Sequence, residues 1–125
     1  MITANDAPAI LISAADGATE QAWQQVLLGI EEEGIPWHWQ HEASGEIVQR
    51  AWQTAAQSLL LVGLACTANE MVVHYRNLPA PQPLFRLAGP QEDECWRQLG
   101  NNAARLVKGL PFKSSISRPD SRMYP

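Results

Sequence analysis

Apolar positions along the chain switch between two periods. Pro8 to Ser13 reads PAILIS, a short apolar run that suits a buried strand. Asp16 and Gly17 then form a turn, and Asp16 or Thr19 is placed to cap a helix. In that helix Trp23, Val26, Leu27 and Ile30 recur at i, i+3, i+4 and i+7, which makes one apolar face, and Gly34 ends it. Ile35 to Gln40 alternates, with Trp37 and Trp39 on one face of a strand and His38 and Gln40 on the other. Ser44 and Gly45 open a second helix with Glu46 in its first turn. Its buried stripe is Ile47, Val48, Ala51, Trp52 and Ala55. Leu59 to Ala65 is apolar throughout and reads as a central strand.

This order, β-α-β-α-β, makes the first three strands parallel, because crossovers through a helix are right-handed. The next link, Cys66 to Asn69, is too short for a crossover, so Glu70 to Tyr75 should run antiparallel beside the third strand. Pro79, Pro81 and Pro83 stiffen the connection that follows, and Leu84 to Leu87 suits an edge strand. Gln91 to Leu99 reads as a helical turn or irregular chain. Asn101 to Lys108 reads as a final helix, capped by asparagine, with Arg105 and Lys108 in its last turn and Gly109 and Pro111 beyond. The expected fold is α/β: a three-layer α/β/α sandwich on a mixed, mostly parallel sheet of about five strands, the fourth antiparallel. One domain is expected over residues 1–112, with a flexible tail over 113–125.

Composition narrows the function classes. The 125 residues allow one domain with a real core. A net charge of −4 offers no basic stripe for nucleic acid or an anionic membrane. Cys66 and Cys95 stand apart, outside any CxxC spacing, and read as reduced thiols of an intracellular protein. Met1 to Asp6 lacks the layout of a signal peptide. The run Leu59 to Cys66 is far shorter than the ~20 residues a membrane span needs. A soluble, cytoplasmic chain is therefore expected.

No catalytic motif stands out. GxSxG, HExxH, GxGxxG and the phosphate-binding glycine loop are all absent. His38 and His41 sit where a strand gives way to a loop, with no third ligand indicated. Cys66 would need a base, and only His74, across the hairpin, offers one; a buried structural cysteine is the plainer reading. The most informative feature is Glu31-Glu32-Glu33 in the last turn of the first helix, where the macrodipole is already negative. Either these carboxylates face something positive, a cation or a basic partner, or they form a well-hydrated helix end. Among five tryptophans, Trp23 and Trp52 read as core, and Trp37 and Trp39 as core or interface anchors.

Several segments together resemble one family. They are LLGIEEEGIP at Leu27 to Pro36, Ala51-Trp52, LLVGLAC at Leu60 to Cys66, VVHYRNLPAPQPLF at Val72 to Phe85 and GNNAARLVKGLPF at Gly100 to Phe112. In order and spacing they resemble the small subunit of the diol dehydratase reactivating factors, over about Ala7 to Phe112. The resemblance implies a fold similar to the dehydratase medium subunit and to anticodon-binding-domain-like folds. It implies a non-catalytic chain paired with a large, actin-like ATPase subunit, as a heterotetramer that frees damaged cobalamin from adenosylcobalamin-dependent diol or glycerol dehydratase by subunit exchange. On that view ADP and ATP bind the large subunit, and this chain binds no cofactor alone. A glutamate of the cluster reaches a shared Mg2+, and Glu32, with Glu31 and Glu33 as alternatives, is the best match by position. The loop Asn77 to Pro83 and the helix Asn101 to Lys108 are the candidate contact surfaces. Self-association of the isolated chain and residence in a bacterial microcompartment are further expectations. Two rivals differ in class. A dehydratase medium subunit would carry an extra N-terminal region before a first strand that here begins by Pro8. A stand-alone anticodon-binding-like module would want a basic surface.

Overall fold

The computed structural model describes residues 7–41 and 45–114. Five strands and three helices occur among them, in the order β1 (Ile10–Ala14), α1 (Gln24–Glu32), β2 (Trp37–His41), α2 (Ile47–Gln57), β3 (Val62–Cys66), β4 (Glu70–Tyr75), β5 (Phe85–Ala88) and α3 (Asp93–Lys108). The strands form one sheet in the order β2-β1-β3-β4-β5. β1 pairs parallel with β2 and β3, while β4 pairs antiparallel with β3 and β5. The expected mixed sheet with an antiparallel fourth strand is therefore present, and β5 is an edge.

Strand alternation sends the two faces to different helices. Ile10, Ile12, Ala14, Val62, Leu64, Cys66, Met71 and Val73 pack with Val26, Leu27 and Ile30 of α1 and Leu99, Ala103 and Ala104 of α3. Ala65 and Val72 face the other way, onto Ile47, Val48 and Ala51 of α2. The sheet lies between α2 on one side and the α1–α3 pair on the other, which gives the three layers.

Glycine sets how closely these layers approach. A Cβ on Gly100 would lie 2.0 Å from the Val26 carbonyl oxygen, and one on Gly29 would lie 2.2 Å from that of Arg97. α1 and α3 thus touch backbone to backbone. This contact explains the main departure from the sequence reading. α3 begins at Asp93, not Asn101, so Gln91 to Leu99 is mostly helical. Gly100, Asn101 and Asn102 look like a helix start, yet they are buried mid-helix residues. Tertiary packing overrides their low helix propensity.

Other differences are local. β3 starts at Val62 rather than Leu59, because Ser58 to Leu61 forms a turn (Leu61 N donates to Ser58 O, 3.0 Å) with Leu61 at φ 65°. β1 starts at Ile10. The cap of α2 is Glu46 itself, whose carboxylate accepts from Val48 N and Gln49 N. Ser44 lies outside the described residues. At α1 the Thr19 hydroxyl accepts from Ala22 N, before a helix that starts at Gln24 with no side-chain cap. Gly34 and Gly109 take the left-handed conformation expected after α1 and α3.

Candidate functional site

α1 ends in its three glutamates, and the structure gives each a different partner. Glu31 Oε2 accepts from Trp37 Nε1 at 2.9 Å. Glu33 is almost enclosed, with its side chain 10% exposed, and its two oxygens accept from Arg105 Nε at 3.1 Å and Lys108 Nζ at 2.8 Å. The Lys108 ammonium, then the Arg105 guanidinium, hold the Glu33 carboxyl below its ordinary value. Glu31 and Glu32 are both exposed, the side chain of Glu32 by 48%. Glu32 Oε2 accepts from Arg97 NH1 at 2.8 Å and its Oε1 from Asn101 Nδ2 at 3.2 Å. The Asn101 amide, then Arg97, keep its carboxyl low as well.

The positive charge that the acidic cluster calls for is therefore on α3 of the same chain. Crossing at Gly29 and Gly100 brings the basic last turn of α3 alongside the acidic last turn of α1. Each helix supplies charges that its neighbour can pair, so the macrodipole cost of glutamates at the end of α1 is offset across the crossing. No spacing within the sequence reveals this, because the partners lie 65 to 75 residues apart.

Glu32 opens onto a cleft of about 380 Å³, lined also by Gln25, Asp93, Glu94, Arg97, Gln98, Asn101 and Lys113. Gln98 Oε1 is buried with no hydrogen-bond partner among the described residues. Asn101 is fixed by its second bond, to the Gly29 carbonyl at 2.7 Å, and Lys113 Nζ donates to its Oδ1. Asn102 accepts from Lys113 N and donates to Lys113 O, which fastens that residue to α3. Among the described residues no three His, Cys, Asp or Glu side chains converge as a metal site. Mg2+ takes six ligands, mostly oxygens and several of them waters. Glu32 fits the part of a single carboxylate ligand to a metal completed by water and a second chain. Glu33, enclosed by Arg105 and Lys108, fits that part less well, and Glu31, exposed and held by Trp37 through one oxygen, does not line this cleft.

The remaining candidates separate. Cys66 and His74 do not form a dyad: Cys66 packs on the α1–α3 face, while His74, opposite Gly63, points to the α2 face. Desolvation pushes the Cys66 thiol up to about 12, so it stays protonated at neutral pH. Both cysteines are free. The His74 ring accepts from Tyr75 N through Nδ1 and donates to Ala80 O from Nε2. Trp52, read as core, is half-buried, and its indole N–H reaches the carbonyls of Arg76 and Leu78. Together they fix the proline-bearing loop 77–83, which is largely exposed. By contrast Asn101 to Ala104, the first half of the stretch Asn101 to Lys108, are buried. Trp37 and Trp39 are half-buried on the edge strand β2 and pack against the core, and Trp23 meets Trp96 edge to face. His38 and His41, three apart on β2, project to opposite faces.

One residue with a demanding role was absent from the sequence reading. Arg50 is 4% exposed, and its guanidinium donates to the carbonyls of Gly45, Ser13 and Cys66 and to the Ser13 hydroxyl. It ties α2 to the ends of β1 and β3. The signal was its place in the series Ile47, Arg50, Ala51, Thr54, the i, i+3, i+4, i+7 face of α2.

Comparison with known proteins matches residues 7–113 to the dehydratase medium subunit family. The diol dehydratase-reactivating factor small subunit of Klebsiella michiganensis is 56% identical over 109 residues, 87% of this chain and 86% of that one. The propanediol dehydratase-reactivating factor small subunit of Salmonella typhimurium is 54% identical over 87% of this chain and 93% of that one. A chain in the structure of a diol dehydratase-reactivating factor complexed with ADP and Mg2+ superposes with a TM-score of 0.83 at 56% identity, covering 86% of this chain and 99% of that one. A glycerol dehydratase reactivase chain gives 0.80 at 27% identity, over 86% and 98%. The chain belongs to the dehydratase medium subunit family, and within it to the small subunits of the dehydratase-reactivating factors.

Proposed function

We propose that this chain is the exchangeable, non-catalytic subunit of an ATP-dependent factor that frees damaged cobalamin from adenosylcobalamin-dependent diol or glycerol dehydratase. The observation that carries the reading is the 56% identity to a diol dehydratase-reactivating factor small subunit across nearly the whole fold. In this reading a large, actin-like ATPase subunit holds the nucleotide, and the pair assembles as a heterotetramer. The small subunit leaves when the ADP-bound factor captures the dehydratase through the vacated surface, and ATP binding then releases the enzyme. Likeness to the dehydratase medium subunit family supports such an exchange, because a chain built like an enzyme subunit can occupy the surface that subunit would use.

The docking surface is the C-terminal end of α1 with the cleft beside it. Glu32 offers a half-exposed carboxylate oxygen toward Mg2+ shared with the large subunit. When bound, the metal supplies positive charge that both the nucleotide phosphates and a carboxylate can share. Asn101 orients Glu32, and the fully paired Glu33 keeps the end of α1 fixed on α3. The 77–83 loop, held by Trp52 and His74, is a second contact region. No helix among the described residues is long and apolar enough to cross a membrane, in keeping with work in the cytoplasm or a bacterial microcompartment.

The purified chain, used as bait in lysate from cells growing on 1,2-propanediol, should retain a large ATPase subunit, with release tuned by ADP and ATP. Retention of RNA, or of dehydratase subunits with no ATPase, would refute the reading.

A further inference from the structure

We infer that Arg97 is an internal counter-cation for Glu32, displaced when the chain docks, and that it sets how much Mg2+ assembly requires. This rests on the proposed role of Glu32 at a shared metal. Both Glu32 oxygens are engaged within the chain, one by Arg97 and one by Asn101. Each oxygen keeps a further lone pair, but a cation bound at Oε2 would sit beside the Arg97 guanidinium, and two positive charges that close favour parting this contact. Asn101 is a poor candidate to part: it is 1% exposed and is also held by the Gly29 carbonyl and by Lys113.

Arg97 is built to let go. Its side chain is 36% exposed. Its Nε and NH2 both donate to Gln25 Oε1, at 2.9 and 2.7 Å, so the guanidinium stays anchored after NH1 leaves Glu32. Until then its positive charge lies 2.8 Å from the oxygen a metal would take. Like charges that close repel, so a divalent ion must compete with the guanidinium. Lys113 lines the same cleft and adds a weaker field of the same sign. In the isolated chain Glu32 therefore keeps Arg97 as its counter-ion. Docking, which brings further oxygen ligands, parts the two, and the Glu32–Arg97 pair becomes a threshold that keeps assembly dependent on the metal.

The test uses the complex reconstituted from this chain and the large subunit with ADP, and reads the Mg2+ concentration at half-maximal assembly by biolayer interferometry. Arg97→Gln should lower that concentration about two- to fivefold, the range for removing one half-exposed ion pair. Arg97→Lys, which keeps the charge, should stay nearer the wild type. Lys113→Gln should shift it in the same direction by a smaller factor, and it decides the matter if Arg97→Gln does not fold. Glu32→Gln should abolish the Mg2+ dependence. If Glu32→Gln abolishes it while neither Arg97→Gln nor Lys113→Gln moves the midpoint, the counter-cation role is wrong and the metal role stands. If Glu32→Gln leaves the Mg2+ dependence intact, the metal role itself is wrong, and the inference falls with it.

Discussion

Replacing Gly100 by alanine tests the geometry on which the site depends. The added methyl would sit 2.0 Å from Val26 O, 2.9 Å from Val26 C and 3.1 Å from Ile30 N, all backbone atoms of α1. No rotamer can relieve that, so α1 and α3 must separate by roughly 1 Å to restore ordinary contact. Separation would loosen Val26, Ile30, Leu99 and Ala103 together, and would stretch the pairs Glu32–Arg97 and Glu33–Arg105. Overpacking of this kind costs about 1–3 kcal/mol, sometimes more. Alanine in place of glycine inside an exposed helix would instead gain about 1 kcal/mol. The two accounts therefore predict opposite signs. An approach of 2.0 Å to backbone puts the overpacking cost at the upper end of its range, so after the propensity gain urea unfolding should show a net loss of about 1–2 kcal/mol, or about 4–10 °C in Tm. An increase in stability for Gly100→Ala would show that the helices do not touch there, and the placement of Arg97 beside Glu32 would lose its basis. Gly109→Ala is the control. It meets nothing within 4 Å and should cost only the left-handed strain at φ 71°, about 1 kcal/mol.

Three further outcomes are expected. Arg50→Met should cost about 2–4 kcal/mol in urea unfolding, because it strips donors from three backbone carbonyls around a buried site, and Arg50→Lys should rescue little, since one ammonium cannot span them; a loss under 1 kcal/mol would contradict the clamp. Alkylation of the native protein at neutral pH, followed by mass spectrometry, should label the half-exposed Cys95 well before Cys66, whose thiol is buried and raised to about 12. Stability should be fully present above the ordinary carboxylate value of 4.5 and fall as the pH drops through the lower folded values of Glu33 and Glu46, held down chiefly by Lys108 and by the Val48 amide respectively; Glu33→Gln should flatten that acid limb, and an unchanged limb would mean the Glu33 pairs add nothing.

Much of the sheet could be read from periodicity alone, because a buried strand and an amphipathic helix leave different repeats. The direction of β4 followed from the length of one link, and Gly34 and Gly109 marked two helix ends. The acidic cluster was visible as an electrostatic anomaly at the end of α1. Its resolution was not, because Arg97, Arg105 and Lys108 reach it only after α3 folds back across α1. The first half of α3 was hidden for a related reason. Gly100 serves close helix contact rather than a break, and Asn101 and Asn102 bond Gly29 and Lys113 rather than cap. Local chemistry points to the wrong element wherever a residue's partner is distant in sequence. Arg50 shows the same thing on the other face, since its partners Ser13 and Cys66 come from two separate strands.

The most direct test of the account is reactivation itself. Dehydratase holding damaged cobalamin would be incubated with ATP, Mg2+ and the large ATPase subunit, with or without this chain, and cobalamin release followed by its absorbance. The account predicts efficient, repeated release when both subunits are present and much less with the large subunit alone. Equal release in the absence of this chain, or none with both subunits present, would contradict it.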